Sequence, residues 1–317
     1  MAVLVTGGAG FIGANLVRRL LATDGIGEVR VIDDRSSGDH GYLDGLPLTD
    51  ISDSILDEEA LEKAVAGVDA IVHLGARPSV PRSVDDPVPS HDVNATGTVR
   101  VLEAARRHGN VHTIVASSSS VYGANPTLPK HEQLATEPLS PYAASKLAAE
   151  AYTLAYGSSY QLPVLAFRFF NVYGPLQPAG HAYAAVVPAF LDAALAGRPL
   201  EIHGDGQQSR DFTFVDSVTD AITQAVLRGV TSARPVNLAF GSRATLLELI
   251  EVIEEVLGHP VTRNHGPTRP GDVKHSQADQ AAFGALFPDL QPVSLHDGVR
   301  ATMDWFRTQT GPVATDR

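Results

Sequence analysis

The chain has no cysteine. That excludes disulfides, thiolate metal sites and a cysteine nucleophile, and it fits a cytoplasmic protein. Excess positive charge is missing too: 24 Lys and Arg face 36 Asp and Glu, a formal net charge of -12. A broad electrostatic grip on nucleic acid or anionic lipid needs clustered cations, so neither partner is expected, and an anionic ligand must be met locally. No apolar run approaches the roughly 20 residues that span a bilayer. The opening stretch from Met1 to Leu4 lacks the basic region and long apolar core of a signal peptide. Twelve histidines are present, but none forms His-x-His or a helical His-Glu pair, and Gly109-Asn110 would break a helix between His108 and His112. No metal site is expected.

What is present is a chain of 317 residues, 44% hydrophobic, enough for a substantial core in one large or two closely joined domains. The first two-thirds alternates short β-branched runs with longer segments of helical period, which predicts a parallel sheet covered by helices on both faces. Strands are expected at 2–5, 29–32, 70–74, 113–117 and 164–169, with crossover helices at 13–22 and 94–108. After Gly174 the texture turns to Pro, Gly and polar loops with isolated helices at 186–196 and 246–257. Residues 212–240 again read strand, helix, strand, so the chain should return to the main sheet before leaving it. The expectation is a doubly wound α/β sheet on residues 1–176 with 212–241, and a smaller, interleaved region on 177–211 with 242–317. The tail from Gln309 should fray.

The first strand ends in Thr6-Gly7-Gly8-Ala9-Gly10-Phe11-Ile12-Gly13. The glycines of such a run serve a tight turn, close backbone approach to a pyrophosphate, and close packing of helix on strand. The following helix offers unpaired amides and its positive end to phosphate. Asp33 stands at the end of the second strand, where an acid accepts hydrogen bonds from the adenosine ribose and repels a ribose phosphate, favouring NAD over NADP. Arg35 pulls the other way, since an arginine there can accept that phosphate. Asp50-Ile51 is read as an adenine contact.

Of eight tyrosines only Tyr142 has a lysine four residues on, in Tyr142-Ala143-Ala144-Ser145-Lys146 at the start of a helix, which stacks both side chains on one face. An ammonium beside the phenol, with an oxidised nicotinamide adding charge in the same sense, favours the phenolate and makes Tyr142 a general base. Upstream, Ser117-Ser118-Ser119-Ser120-Val121-Tyr122-Gly123 places hydroxyls at the carboxyl edge of the sheet, where ligands of doubly wound folds bind.

On these motifs, together with HLGA from His73, RFFNVYGP from Arg168, the RDF segment from Arg210 and RPGD from Arg269, the chain resembles the extended short-chain dehydrogenase/reductases, in particular the nucleotide-sugar epimerases and dehydratases. The resemblance implies a Rossmann-type fold and an NAD that stays tightly bound through turnover. It implies Ser118, Tyr142 and Lys146 as catalytic residues. Around the cofactor it implies Gly7, Gly10, Phe11, Ile12 and Gly13, then Asp33, Asp34, Ser37 and Gly38, then Leu74, Gly75, Ala76 and Asn94. Around the nucleotide-sugar it implies Ser79, Val80, Ser119, Ser120, Asn171, Val187, Arg210, Arg269 and Ser276, the guanidiniums suiting a diphosphate.

In the family's 4,6-dehydratases an Asp-Glu pair follows the catalytic hydroxyl; Ser119 and Ser120 stand there instead, and a hydroxyl is no comparable acid or base. Ser120 also departs from the Glu of decarboxylases similar to this chain. The resemblance therefore implies 4-epimerisation through a 4-keto sugar that rotates and takes hydride on its other face. The stretch His181 to Pro188 resembles epimerases that accept N-acetylated UDP-hexosamines, and Ser276 stands where some epimerases carry an obstructing Tyr. UDP-GlcNAc and UDP-GalNAc, or UDP-glucose and UDP-galactose, are the expected substrates. UDP-glucuronate is the alternative: Pro178 replaces the arginine expected for a uronate carboxylate, yet Arg77 and Arg82 border the sugar site. A non-catalytic scaffold is disfavoured by the intact Ser118, Tyr142 and Lys146, whereas a net dehydrogenase could use the same three residues. The apolar stripe Leu147, Ala148, Ala151, Tyr152 and Ala155, with the helix near Val99 to Arg106, points to a homodimer, the family's common pairing.

Overall fold

The computed structural model describes residues 1–38, 40–179, 185–268 and 274–310. In chain order the strands are β1 (Ala2–Thr6), β2 (Glu28–Ile32), β3 (Thr49–Ile51), β4 (Ala70–His73), β5 (His112–Ser118), β6 (Val164–Phe169), β7 (Asn171–Tyr173), β8 (Leu200–His203), β9 (Ser209–Arg210), β10 (Phe212–Phe214), β11 (Val236–Leu238), β12 (Ala244–Thr245) and β13 (Arg263–Gly266). Seven of them form one parallel sheet in the order β11-β6-β5-β4-β1-β2-β3. The order runs outward in opposite directions from β1 and β4, so a crevice opens between their carboxyl ends, the ligand position of doubly wound sheets.

The helices are α1 (Phe11–Leu21), α2 (Glu58–Val65), α3 (Val80–Asp85), α4 (Pro87–His91), α5 (Gly97–Arg107), α6 (Pro141–Tyr160), α7 (Val186–Leu195), α8 (Val215–Arg228), α9 (Leu246–Leu257), α10 (Ala281–Leu286) and α11 (Leu295–Thr310). Side chains alternate across a strand, and here both faces are covered. Val3, Val5, Val29, Val31 and Val72 pack with Leu16, Leu20, Val218 and Ile222 of α1 and α8 on one face. Leu4, Ile32, Ile71 and Val115 pack with Leu61, Val65, Val101 and Leu102 of α2 and α5 on the other. A third cluster, including Tyr173, Phe190, Ile202, Leu249 and Met303, holds the late segments together.

The doubly wound sheet matches the expectation, and β6 and α9 have the expected ends. Four details differ. Thr49–Ile51 is an edge strand, too short and polar to stand out by pattern. Of the two strands expected between 212 and 240, only β11 joins the main sheet; β10 pairs with β7, and Phe212 and Phe214 belong to the third cluster. The helix expected over 94–108 begins as a π turn, Asp92–Thr96, before α5. Gln309 lies within α11, which runs to Thr310.

Candidate active site

The loop between β1 and α1 is built on close backbone contacts. Gly7 has a left-handed φ of 71°, and a Cβ there would sit 2.7 Å from Gly75 N. Gly10 is the N-cap of α1 and no side chain caps the helix, so its first-turn amides face the crevice unclaimed by side chains. Asp33 is only 9% exposed; Ala9 N donates to its Oδ2 at 2.9 Å and Arg35 N to its Oδ1 at 2.8 Å. Burial raises its pKa, and those two amides oppose the rise. Arg35 is engaged by Asp50 in an ion pair, so its guanidinium already has a carboxylate partner. Replacing Asp33 by Ser should weaken NAD binding by roughly 10- to 100-fold, the loss of one charged hydrogen bond worth about 1.5–3 kcal/mol; titration calorimetry measures it. An unchanged affinity would detach Asp33 from the ribose.

These elements enclose a cavity of about 710 Å³, within the range of cofactor sites. Its wall carries Gly7, Gly10, Phe11, Ile12, Gly13, Asp33, Asp34, Ser37, Leu74, Gly75 and Ala76 of the expected cofactor residues, together with Ser118, Tyr142, Lys146 and Asn171. Gly38, Asp50, Ile51 and Asn94 are not part of that wall. Gly38 packs against the loop instead, where a Cβ would meet Ala9 O at 2.5 Å. Asp53 and Ile55 line the cavity in place of Asp50 and Ile51.

Asn94, in the π turn, is buried beneath the wall: its Nδ2 donates to Ser145 Oγ at 2.9 Å, and Arg77 N donates to its Oδ1 at 2.7 Å. Thr98 Oγ1 donates to Asn94 O, so toward His73 it can only accept. His73 is therefore protonated on Nε2, and its Nδ1 accepts from Thr6 Oγ1, which itself accepts from Gly75 N. Burial, then the Lys146 charge, push its pKa down to about 3, in keeping with that neutral form.

Tyr142 enters α6 at its first turn, after Ser140, whose hydroxyl caps Ala143 N, and Pro141. Ser83 Oγ, on α3, accepts from Tyr142 N at 3.0 Å and fixes the turn's position. Lys146 is buried with its Nζ donating to Ala116 O at 2.8 Å, and burial lowers its pKa to about 8. Burial raises the Tyr142 phenol, and a hydrogen bond with Ser118 opposes this. On Tyr142 it is thus Ser118 that favours the phenolate, while the Lys146 ammonium reaches Ala116 O. Ser118 Oγ accepts from Ser120 Oγ at 2.9 Å and from Ser120 N at 3.2 Å, leaving its own proton for a donor role in the cavity.

A second cavity of about 300 Å³ adjoins, sharing Asn171 and Val172 with the first; Val187 and Arg210 line it, as do Glu201, His203 and Gln208, which no motif signalled. Phe169, Phe170 and Gln177 line the first cavity, and all three sit inside or just after the RFFNVYGP stretch that could have announced them. Ser79, Val80, Ser119, Ser120 and Ser276 lie on neither wall. Ser79 caps α3, and Ser120 serves Ser118. Arg269 and residues 181–184 lie outside the described residues. Among the described residues no three His, Asp or Glu side chains converge as metal ligands would, and no helix is long and apolar enough to cross a membrane.

The profile of the NAD dependent epimerase/dehydratase family matches residues 3–239, and the chain belongs to that family. It is 39% identical to a UDP-glucose 4-epimerase of Mycolicibacterium smegmatis over 98% of this chain and 100% of that one. Among solved structures it is similar to a UDP-N-acetylglucosamine 4-epimerase from Methanobrevibacter ruminantium in complex with UDP-N-acetylmuramic acid, with TM-score 0.91, 36% identity, and coverage of 97% of this chain and 98% of that one. It is also similar to a UDP-glucuronic acid 4-epimerase from Bacillus cereus in complex with UDP-glucuronic acid and NAD, with TM-score 0.87, 32% identity, and coverage of 98% and 100%. The uncapped helix end, the Cβ-free approach at Gly10 and the presented Asp33 carboxylate fit the pyrophosphate and ribose of NAD.

Proposed function

We propose that the protein is an NAD-dependent nucleotide-sugar 4-epimerase. The observation that carries this reading is the meeting of Ser118, Tyr142 and Lys146 on one wall of the cavity that also holds the glycine loop. NAD, when bound, supplies the acceptor and donor of the hydrogen at the sugar's C4 and, oxidised, a positive charge near the phenol. Tyr142 takes the proton of the 4-hydroxyl as general base and returns it to the same oxygen once the 4-keto sugar has rotated to present its other face to the cofactor. Ser118 turns its hydroxyl hydrogen bond from the phenol to the sugar oxygen without giving up its proton, and Lys146, held on Ala116 O, contributes a buried ammonium. Asp33 and the loop amides hold the dinucleotide, while Asn171, Val187 and Arg210 hold the nucleotide of the substrate, with Arg269 as a further guanidinium. On this reading residues 1–176 with 212–241 serve the cofactor, and 177–211 with 242–317 the nucleotide-sugar.

Ser119 and Ser120 supply no carboxyl for dehydration. UDP-hexoses and UDP-N-acetylhexosamines are the first substrates to test, as the likeness to epimerases of both kinds supports. Arg77 and Arg82 on the cavity wall favour a second reading, a sugar bearing a carboxylate such as UDP-glucuronate. Incubation of the purified protein with UDP-GlcNAc, UDP-glucose and UDP-glucuronate in turn, with product identification by NMR, separates these. Return of all three unchanged, with NAD supplied, would defeat the epimerase reading for UDP sugars.

The same reading includes a cytoplasmic homodimer. Tyr152 on α6 is 48% exposed, and Ala151 and Ala155 beside it are exposed as well, an apolar stripe unusual on a free helix face. Tyr152→Glu should convert a dimer to a monomer in sedimentation analysis while leaving the far-UV circular dichroism unchanged; a wild-type monomer would refute the pairing.

A further inference from the structure

Behind the tyrosine and lysine of α6 lies a charged pair that the proposed chemistry does not use. Glu150 follows Lys146 by one helical turn and shares the face that carries Tyr142. Glu150 and Arg168 are each 3% exposed. Arg168 Nε and Nη2 donate to the two carboxylate oxygens at 2.9 and 2.6 Å, and Ser117 Oγ donates to Oε2 at 2.7 Å. Lys146 Nζ donates to the carbonyl of Ala116, the residue before Ser117. Consecutive residues of β5 are therefore tied to consecutive turns of α6, and Ser118 comes next along the strand. On the other side, Arg168 precedes Phe169, Phe170 and Asn171, all on the cavity wall. Its guanidinium also lies 4.6 Å from the centre of the Tyr122 ring, and the Tyr122 hydroxyl donates to Asn237 on β11. One carboxylate thus joins the middle of α6 to the carboxyl ends of β5 and β6.

Stability alone does not account for such a pair. Desolvation of two ions commonly cancels their attraction, and well-packed apolar replacements are often as stable or more so. What an apolar pair cannot supply is direction: three hydrogen bonds of fixed geometry converge on Glu150. Burial opposes the Arg168 charge, but Glu150 outweighs it and the guanidinium pKa is raised, so the arginine stays charged.

We infer that Glu150 is a positioning residue, which through Ser117 and Arg168 sets where Ser118 stands relative to Tyr142 and Lys146. Its kinetic consequence rests on the epimerase reading; its structural consequence does not. The test is the Glu150→Met, Arg168→Met double variant, compared with the wild-type protein by crystal structure and by kcat and KM. The expected result is a folded protein in which Ser118 is displaced by about 1 Å relative to Tyr142 and Lys146, with kcat lower by about 100-fold, the cost of such a misplacement, and KM within about twofold of wild type. A folded double variant in which Ser118, Tyr142 and Lys146 keep their wild-type relative positions overturns the inference, whatever its activity and whether or not the wild-type protein epimerises UDP sugars. Should the double variant not fold, Ser117→Ala, which leaves the ion pair intact, decides: a displacement of Ser118 relative to Tyr142 sustains the inference, and an unchanged position overturns it.

Discussion

Tyr142→Phe is expected to lower kcat by about 10³- to 10⁴-fold, the upper part of the range for losing a positioned general base, while KM stays within a few-fold. The ring remains, so the packing at the first turn of α6 and the Ser83 contact to its backbone are kept. What is lost is a cavity phenol that Ser118 holds against the upward pull of burial. The pH profile adds a second, independent check. Burial alone brings Lys146 to about 8, so its ammonium is present below that pH and lost above it. A rate that depends on that ammonium should fall on an alkaline limb near pH 8, and Lys146→Met should remove the limb together with most of the activity. Stopped incubations with substrate at pH 6 to 10, read by NMR, give both results. Activity in Tyr142→Phe within tenfold of wild type would remove the phenol from the chemistry; an alkaline limb surviving in Lys146→Met would assign it to another group.

How much of this was legible in the sequence follows from how local each signal is. The glycine loop and Asp33 were legible because the constraint acts between neighbours: a left-handed turn at Gly7 and an uncapped helix start at Gly10 are written in consecutive residues. The strands were legible because Val3, Leu4 and Val5 must alternate between two buried faces. β3 was missed because Thr49-Asp50-Ile51 is an edge of three residues with almost nothing to bury. Asp50 and Asn94 illustrate a different limit. Residue type and position suggest cofactor contacts, but not that their side chains also pair with Arg35 and with Ser145, partners distant in sequence for which no spacing rule exists. The second cavity draws Glu201, His203, Gln208 and Arg210 onto one wall through β8 and β9, short strands paired with β13 and β12 late in the chain. The pull of Ser118 on Tyr142 is likewise a tertiary fact: the spacing within α6 places Lys146 on the tyrosine's face, but only the fold sends its ammonium to Ala116.

Among substitutions aimed at the fold itself, Gly13→Ala should have the largest effect, and its companion Gly10→Ala separates folding from binding. Alanine is the better helix former by about 1 kcal/mol, so propensity favours the change at Gly13. Sterics reverse the sign. A Cβ there would lie 2.1 Å from Gly7 O, 2.7 Å from Gly8 Cα and 2.9 Å from Gly7 C, all of them backbone atoms. Gly7 cannot retreat, because its amide is bonded to Ile32 O at 2.9 Å and its α-carbon backs onto Gly75. The loop must open or α1 must lift from β1, and overpacking of this kind costs typically about 1–3 kcal/mol and occasionally more. The expected result is a clear fall in the thermal midpoint and a loss of NAD affinity of at least about 100-fold, equivalent to roughly 2.7 kcal/mol, since the same displacement moves the first-turn amides of α1 to which we assign the pyrophosphate. At Gly10 a Cβ would meet only Gly7 O, at 3.3 Å, and would otherwise project into the cavity. Gly10→Ala should therefore keep its thermal midpoint near wild type and still bind NAD weakly. Differential scanning fluorimetry with and without NAD, together with calorimetric titration, distinguishes the two variants. If both lose stability equally, the loop is held by something other than the Gly7–Gly13 contact; if Gly10→Ala binds NAD as wild type does, the pyrophosphate does not lie against the start of α1.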